Sequence, residues 1–177
     1  RVVVTAPVKE DGVLNIVLKD TDDELNVSST LGFHNANSNS VFPNKIDGFV
    51  YKIALNYGLK VSKGGFINFS TEALSSDNTF RNGTSTREKF GQAGVKNVSL
   101  FFNSEIPIYK NAVLYANGGF NFKNTEAFAF TRKPGSERNV IDIYPNGFNP
   151  LITSNIIDNS LSVGITTSFK EWNVDIN

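Results

Sequence analysis

Residues 49–62 alternate without a break between apolar and small or polar side chains, and this constrains the fold more than any other feature of the chain. The odd positions are Phe49, Tyr51, Ile53, Leu55, Tyr57, Leu59 and Val61. The even positions are Val50, Lys52, Ala54, Asn56, Gly58, Lys60 and Ser62. Successive side chains on a strand point to opposite faces, so this ribbon has one apolar face and one polar face. Two environments suit it. In a membrane barrel the apolar face meets lipid and the polar face lines the interior. In a soluble sandwich the apolar face is buried between two sheets.

Six further stretches carry the same pattern: residues 25–34, 66–74, 95–108, 113–123, 161–170 and 172–177. Apolar sets such as Val98, Leu100, Phe102 and Ile106 oppose Asn97, Ser99, Asn103 and Glu105. Upstream, residues 1–8 form a β-branched run. Residues 12–19 are more continuously apolar, as a strand buried on both faces would be. Nothing reads as a helix, and no apolar run approaches the ~18 residues of a helical membrane span.

The connections sort by length. Long polar segments at 34–45, 75–94 and 124–159 alternate with tight turns at 63–65, 109–112 and 170–171. Outer-membrane barrels carry short turns on one rim and long loops on the other. Greek-key sandwiches have no reason to sort their connections this way. Most of the stretches are longer than the ~5–6 residues usual in soluble sheets. Phe33, Phe49, Phe66, Tyr109, Tyr115, Phe120, Phe122 and Trp172 sit near strand ends, where interfacial girdles place aromatics. The expected class is all-β, an antiparallel transmembrane β-barrel segment, with a soluble sandwich binding module as the alternative.

Composition narrows the function classes. Seventeen basic residues balance seventeen acidic ones, which disfavours a nucleic-acid binder. There is no cysteine, so no disulfide or thiolate metal site can form. The absence of methionine and the start at Arg1 lead to the expectation of a processed product or a piece of a longer chain. The sole histidine, His34, lies at a strand end and has no nucleophile-elbow sequence to serve. Residues 91–94 lack the Lys-Ser/Thr of a P-loop. No enzyme activity, cofactor or metal site is expected. The acidic run Asp20, Asp22, Asp23 and Glu24 suits a hard cation in its ligand type, but its spacing matches no EF-hand and a solvated linker is the simpler reading.

Residues 12–19, Gly-Val-Leu-Asn-Ile-Val-Leu-Lys, resemble the strand that ends the plug domain of TonB-dependent outer-membrane receptors. Asn56-Tyr57-Gly58-Leu59, followed by residues 63–70, resembles the second and third barrel strands of that family with their periplasmic turn. Residues 96–103 resemble the fourth, and residues 143–150 a loop motif found in part of the family. The resemblance spans residues 12–177. It implies a plug remnant at 1–20 and a partial barrel at 21–177, drawn from a barrel of roughly 22 strands around a plugged lumen. It further implies location in the outer membrane of a Gram-negative bacterium, contact with bilayer lipid and lipopolysaccharide, a small-molecule or oligomeric nutrient as cargo, and energy from TonB. Two departures stand out: the Gly/Ala-rich stretch between the first strand and the plug-end strand is replaced by residues 5–11, and the TonB box is missing. A second possibility is a barrel subunit with a structural or interaction role in a surface complex.

Ligand contacts are expected from two sets of residues. Lys52, Asn56, Lys60, Glu72, Asn103, Glu105, Tyr115 and Asn117 lie on the polar strand faces and would look into the lumen. Hydrogen bonding to the plug is the simpler reading of them, and direct contact with cargo the alternative. Arg81, Arg87, Lys89, Arg132, Lys133 and Arg138 form a basic set in the long loops, suited to an anionic ligand or to plain solvation. Tyr144 and Phe148 could stack on a ligand or pack their own loop.

Overall fold

The computed structural model describes residues 3–8, 12–20, 23–36 and 46–177, with 3–8 and 12–17 as backbone only. Eleven strands are present among the described residues: β1 (Val3–Val8), β2 (Gly12–Val17), β3 (Leu25–Asn35), β4 (Ile46–Val61), β5 (Gly65–Ser76), β6 (Arg81–Thr84), β7 (Arg87–Phe90), β8 (Gly94–Tyr109), β9 (Ala112–Phe128), β10 (Leu151–Phe169) and β11 (Trp172–Ile176). Seven of them make one antiparallel sheet in the order β11-β10-β9-β8-β5-β4-β3. β1 pairs with β2, and β6 with β7, as separate hairpins. The only helical element among the described residues is a single 3-10 turn, Ser62–Gly64. The all-β antiparallel expectation holds, and the seven-stranded sheet is open, with β3 and β11 at its edges.

Consecutive strands of the sheet are neighbours, so three tight turns gather on one rim. They are Ser62–Gly64, 110–111 and 170–171. The connections 77–93 and 129–150, with the end of β3 and the start of β4, lie on the other. Residues 37–45 and Asp22 lie outside the described residues, as do the side chains on which the expected two-faced burial of 12–17 depends.

Three sequence expectations need correction. β9 continues to Phe128 and β10 begins at Leu151, so the third loop is 129–150 rather than 124–159. Residues 151–160 carry no apolar alternation, yet they pair residue for residue with 119–128. The second loop was expected to lack strands but contains the β6–β7 hairpin. Its turn is closed by side chains: the Arg87 amide donates to Thr84 Oγ1 at 3.2 Å.

Register places the alternating residues in continuous rows. One row crosses Leu25, Tyr57, Phe69, Phe102, Gly118 and Leu161. Another crosses Val27, Leu55, Thr71, Leu100, Phe120 and Asn159. Five such rows, from Ile53 and Val98 down to Ile106 and Ile165, form a mainly apolar band about 27 Å long at 3.4 Å per residue. Toward the long loops the same face turns polar at Ser75, Lys96, Asn124 and Asn155, and Asn124 Nδ2 donates to Asn155 Oδ1 at 2.7 Å.

Burial is inverted relative to a water-soluble domain. No hydrophobic side chain is buried among the described residues. Tyr51, Ile53, Leu55 and Tyr57 are 53, 51, 39 and 41% exposed, whereas Asn56, Asn68 and Asn103 are 5, 0 and 5% exposed. Large apolar residues normally go inside and amides outside. The apolar face is therefore not packed against a second sheet within the described chain.

Candidate functional site

The polar face gathers what the sequence set on it. Lys60, Phe66, Glu105 and Tyr115 form one row, Asn68, Asn103 and Asn117 a second, and Asn26, Asn56 and Ser70 a third. All eight residues expected on this face (Lys52, Asn56, Lys60, Glu72, Asn103, Glu105, Tyr115 and Asn117) share it. Two of its lysines are paired. Lys52 Nζ lies 3.1 Å from Glu72 Oε2, and Lys60 Nζ lies 3.4 Å from Asp23 Oδ2. Tyr115 Oη donates to Asp175 Oδ1 at 2.7 Å. The Tyr115 ring lies over Gly164, where a Cβ would come within 2.4 Å of it.

Amides make the centre of this face. Asn56 Nδ2 donates to Asn68 Oδ1 at 2.5 Å, to Ser70 Oγ at 2.7 Å and to the Phe69 carbonyl at 3.1 Å. Asn56 Oδ1 is buried without a hydrogen-bond partner. Asn103 Nδ2 donates to the Lys19 carbonyl at 2.9 Å, tying the segment after β2 to the sheet. That segment is also held to β4, where the Asp23 amide donates to the Gly58 carbonyl at 2.9 Å. A cavity of about 410 Å³ opens here, with Lys19, Asn26, Asn56, Ser70, Glu72 and Phe101 in its wall. Phe101 was not singled out from the sequence. Its ring lies against Gly119 across the strand pair, and that neighbour becomes visible only once register is known.

The long-loop residues divide into two groups. Arg81 Nη1 meets Asp47 Oδ2 at 2.6 Å, and the same oxygen accepts the Phe80 amide at 2.6 Å. Arg87 Nη2 donates to the Phe128 carbonyl at 3.1 Å, and its guanidinium lies 5.1 Å from the Phe90 ring centre. Lys89 Nζ lies 4.4 Å from the Phe128 ring centre. These three cations thus brace the second loop against the ends of β4 and β9. Arg132 pairs with Phe148 through the backbone, while Lys133 and Arg138 are exposed. The two loops join where the Thr131 amide donates to the Thr86 carbonyl at 2.9 Å and the Glu88 amide to Thr131 Oγ1 at 2.9 Å. Tyr144 and Phe148 stack on each other with ring centres 4.3 Å apart, so their rings pack the third loop. Asp47, which organises the second loop, carried no signal in the sequence.

Among the described residues no three His, Cys, Asp or Glu side chains are grouped to hold a metal ion. In the acidic run, the Asp23 carboxylate faces Lys60. No family model matches the chain. No curated protein and no solved structure matches it either.

Proposed function

We propose that this chain is the plug-end and first barrel strands of a TonB-dependent outer-membrane receptor that imports a scarce nutrient. The carrying observation is the inverted burial: apolar rows stand exposed on one face while amides are buried on the other. Water would penalise that apolar face, at about 25 cal/mol for each Å² left uncovered, whereas hydrocarbon would not. Three features support the reading. Tilted as barrel strands are, the apolar band would cover roughly 19–22 Å of bilayer. Tight turns and long loops occupy opposite rims. Lys19 and Asp23 lie on the polar face where a plug would enter, fastened by Asn103 and Gly58. In lipid, open sheet edges leave unpaired backbone groups, so further strands must continue the sheet beyond β3 and β11. The resemblance at residues 12–19 supplies the family and the import mechanism.

The test is fractionation of the full protein from its native cells, followed by ligand uptake. It should sediment with outer membrane after alkaline carbonate washing and need detergent for release. Deleting its gene should abolish energy-dependent uptake of one nutrient. Recovery in the soluble fraction would defeat the barrel. Membrane recovery without any uptake defect would defeat the transport role.

A further inference from the structure

The three tight turns share a feature that the import reading does not use. Each carries an exposed lysine: Lys63, Lys110 and Lys170. Lys63 and Lys170 adopt positive φ, 64° and 54°, and they are two of only three non-glycine residues among those described that do so. Glycine takes this conformation without the steric penalty that an L side chain meets there. A lysine held in it at two corresponding turns is an outlier that asks for a functional reason. Aromatics border two of the three turns, those of Lys110 and Lys170, on the apolar face. Tyr109, Phe169 and Trp172 are 76, 67 and 73% exposed. Lys170 Nζ sits 5.6 Å from the Phe169 ring centre.

An aromatic belt ending in lysines is the arrangement that meets a bilayer interface, with rings at headgroup depth and ammonium groups extended to the phosphates. Adjacent hairpins in this sheet are two strands apart, so the lysines recur at roughly 10 Å along the rim. Nearby acids are committed elsewhere: Asp23 to Lys60 and Asp175 to Tyr115. Within the turns themselves, three lysines face one glutamate, Glu171.

We propose that the short-turn rim binds the headgroups of anionic phospholipids in the leaflet on that side, with Lys63, Lys110 and Lys170 as the phosphate contacts. The proposal rests on the barrel reading above, and one experiment separates the two. Trp172 is the only tryptophan of this sequence and stands on this rim; any tryptophan in further strands is replaced by Phe, so that Trp172 alone reports. The full protein is reconstituted into phosphatidylcholine vesicles containing brominated phosphatidylcholine or brominated phosphatidylglycerol at equal mole fraction. Quenching of Trp172 by either lipid reports insertion. Stronger quenching by phosphatidylglycerol reports headgroup selection, expected at about fivefold in relative association per lysine near the ring and fading as salt rises. Replacing all three lysines by Gln should equalise the two lipids, and replacing them by Arg should keep the preference. Equal quenching in the parent protein, with insertion intact, would overturn the headgroup proposal alone. Preference surviving in the Gln variant would overturn it too. No quenching by either lipid would overturn the barrel reading and this proposal with it.

Discussion

On β10, Leu161 and Ser162 are adjacent in sequence but belong to different environments. Leu161 is 71% exposed on the apolar face, in the middle row of the band. Ser162 faces Asn117 across the strand pair and is half-buried on the polar face. The same contrast repeats on β4 between Leu55 and Asn56. A polar group that loses water needs a partner; the two N–H bonds of Asn56 Nδ2 share three acceptors, while its Oδ1 has none. An apolar group needs only to avoid water. The polar face is thus organised by specific bonds, the apolar face by composition alone.

That contrast can be broken by moving charge. Leu161→Arg should cost about 2–4 kcal/mol in lipid, as arginine does near a bilayer midplane, while Ser162→Arg should cost under ~1 kcal/mol. Urea unfolding in phosphatidylcholine vesicles measures both. Equal costs would mean that the two faces share one environment.

The polar face should respond to loss of bonds rather than to charge. Asn68→Ala removes the acceptor for Asn56 Nδ2 at a fully buried position. It should cost about 1–3 kcal/mol in the same unfolding measurement. Thr71→Val on the opposite face deletes one bond, to the Ser99 carbonyl at 3.0 Å, and adds apolar surface. Its cost should be smaller than that of Asn68→Ala.

Gly164→Ala sharpens the comparison at the rim. Its Cβ would displace the Tyr115 ring and break the bond to Asp175. A loss of about 1–3 kcal/mol is expected from overpacking, and Tyr115→Leu in the same background should restore part of it. The smallest effect belongs to Lys52→Gln. Its pair with Glu72 is more than one-third exposed on both sides, and such pairs contribute under ~1 kcal/mol. A larger loss would show that this face is drier than its exposure indicates.

The faces were legible in the sequence because a period of two needs no knowledge of partners. Tyr51 and Lys52 must oppose each other whatever lies beside them. The Asn56–Asn68 bond was not legible, since it joins strands whose register depends on the turn at Ser62–Gly64. The ends of β9 and β10 were hidden for a different reason. Residues 124–128 and 151–155 extend past the apolar band, where polar residues such as Asn124 and Asn155 occupy the outward face too and alternation vanishes. The β6–β7 hairpin is polar throughout most of its length and is held by backbone pairing and threonine hydroxyls. The basic loop residues were visible as charges, but not that Arg81 would be matched by Asp47, which lies 34 positions away.

The most direct test of the inside-out sheet is a spin-label scan of β4 in lipid vesicles, which the absence of cysteine makes straightforward. Single cysteines at Tyr51, Ile53, Leu55 and Tyr57 should collide often with oxygen and rarely with an aqueous nickel chelate. Labels at Lys52, Ala54 and Lys60 should show the reverse. Odd-numbered labels shielded from both reagents, as inside a dry protein core, would contradict the account.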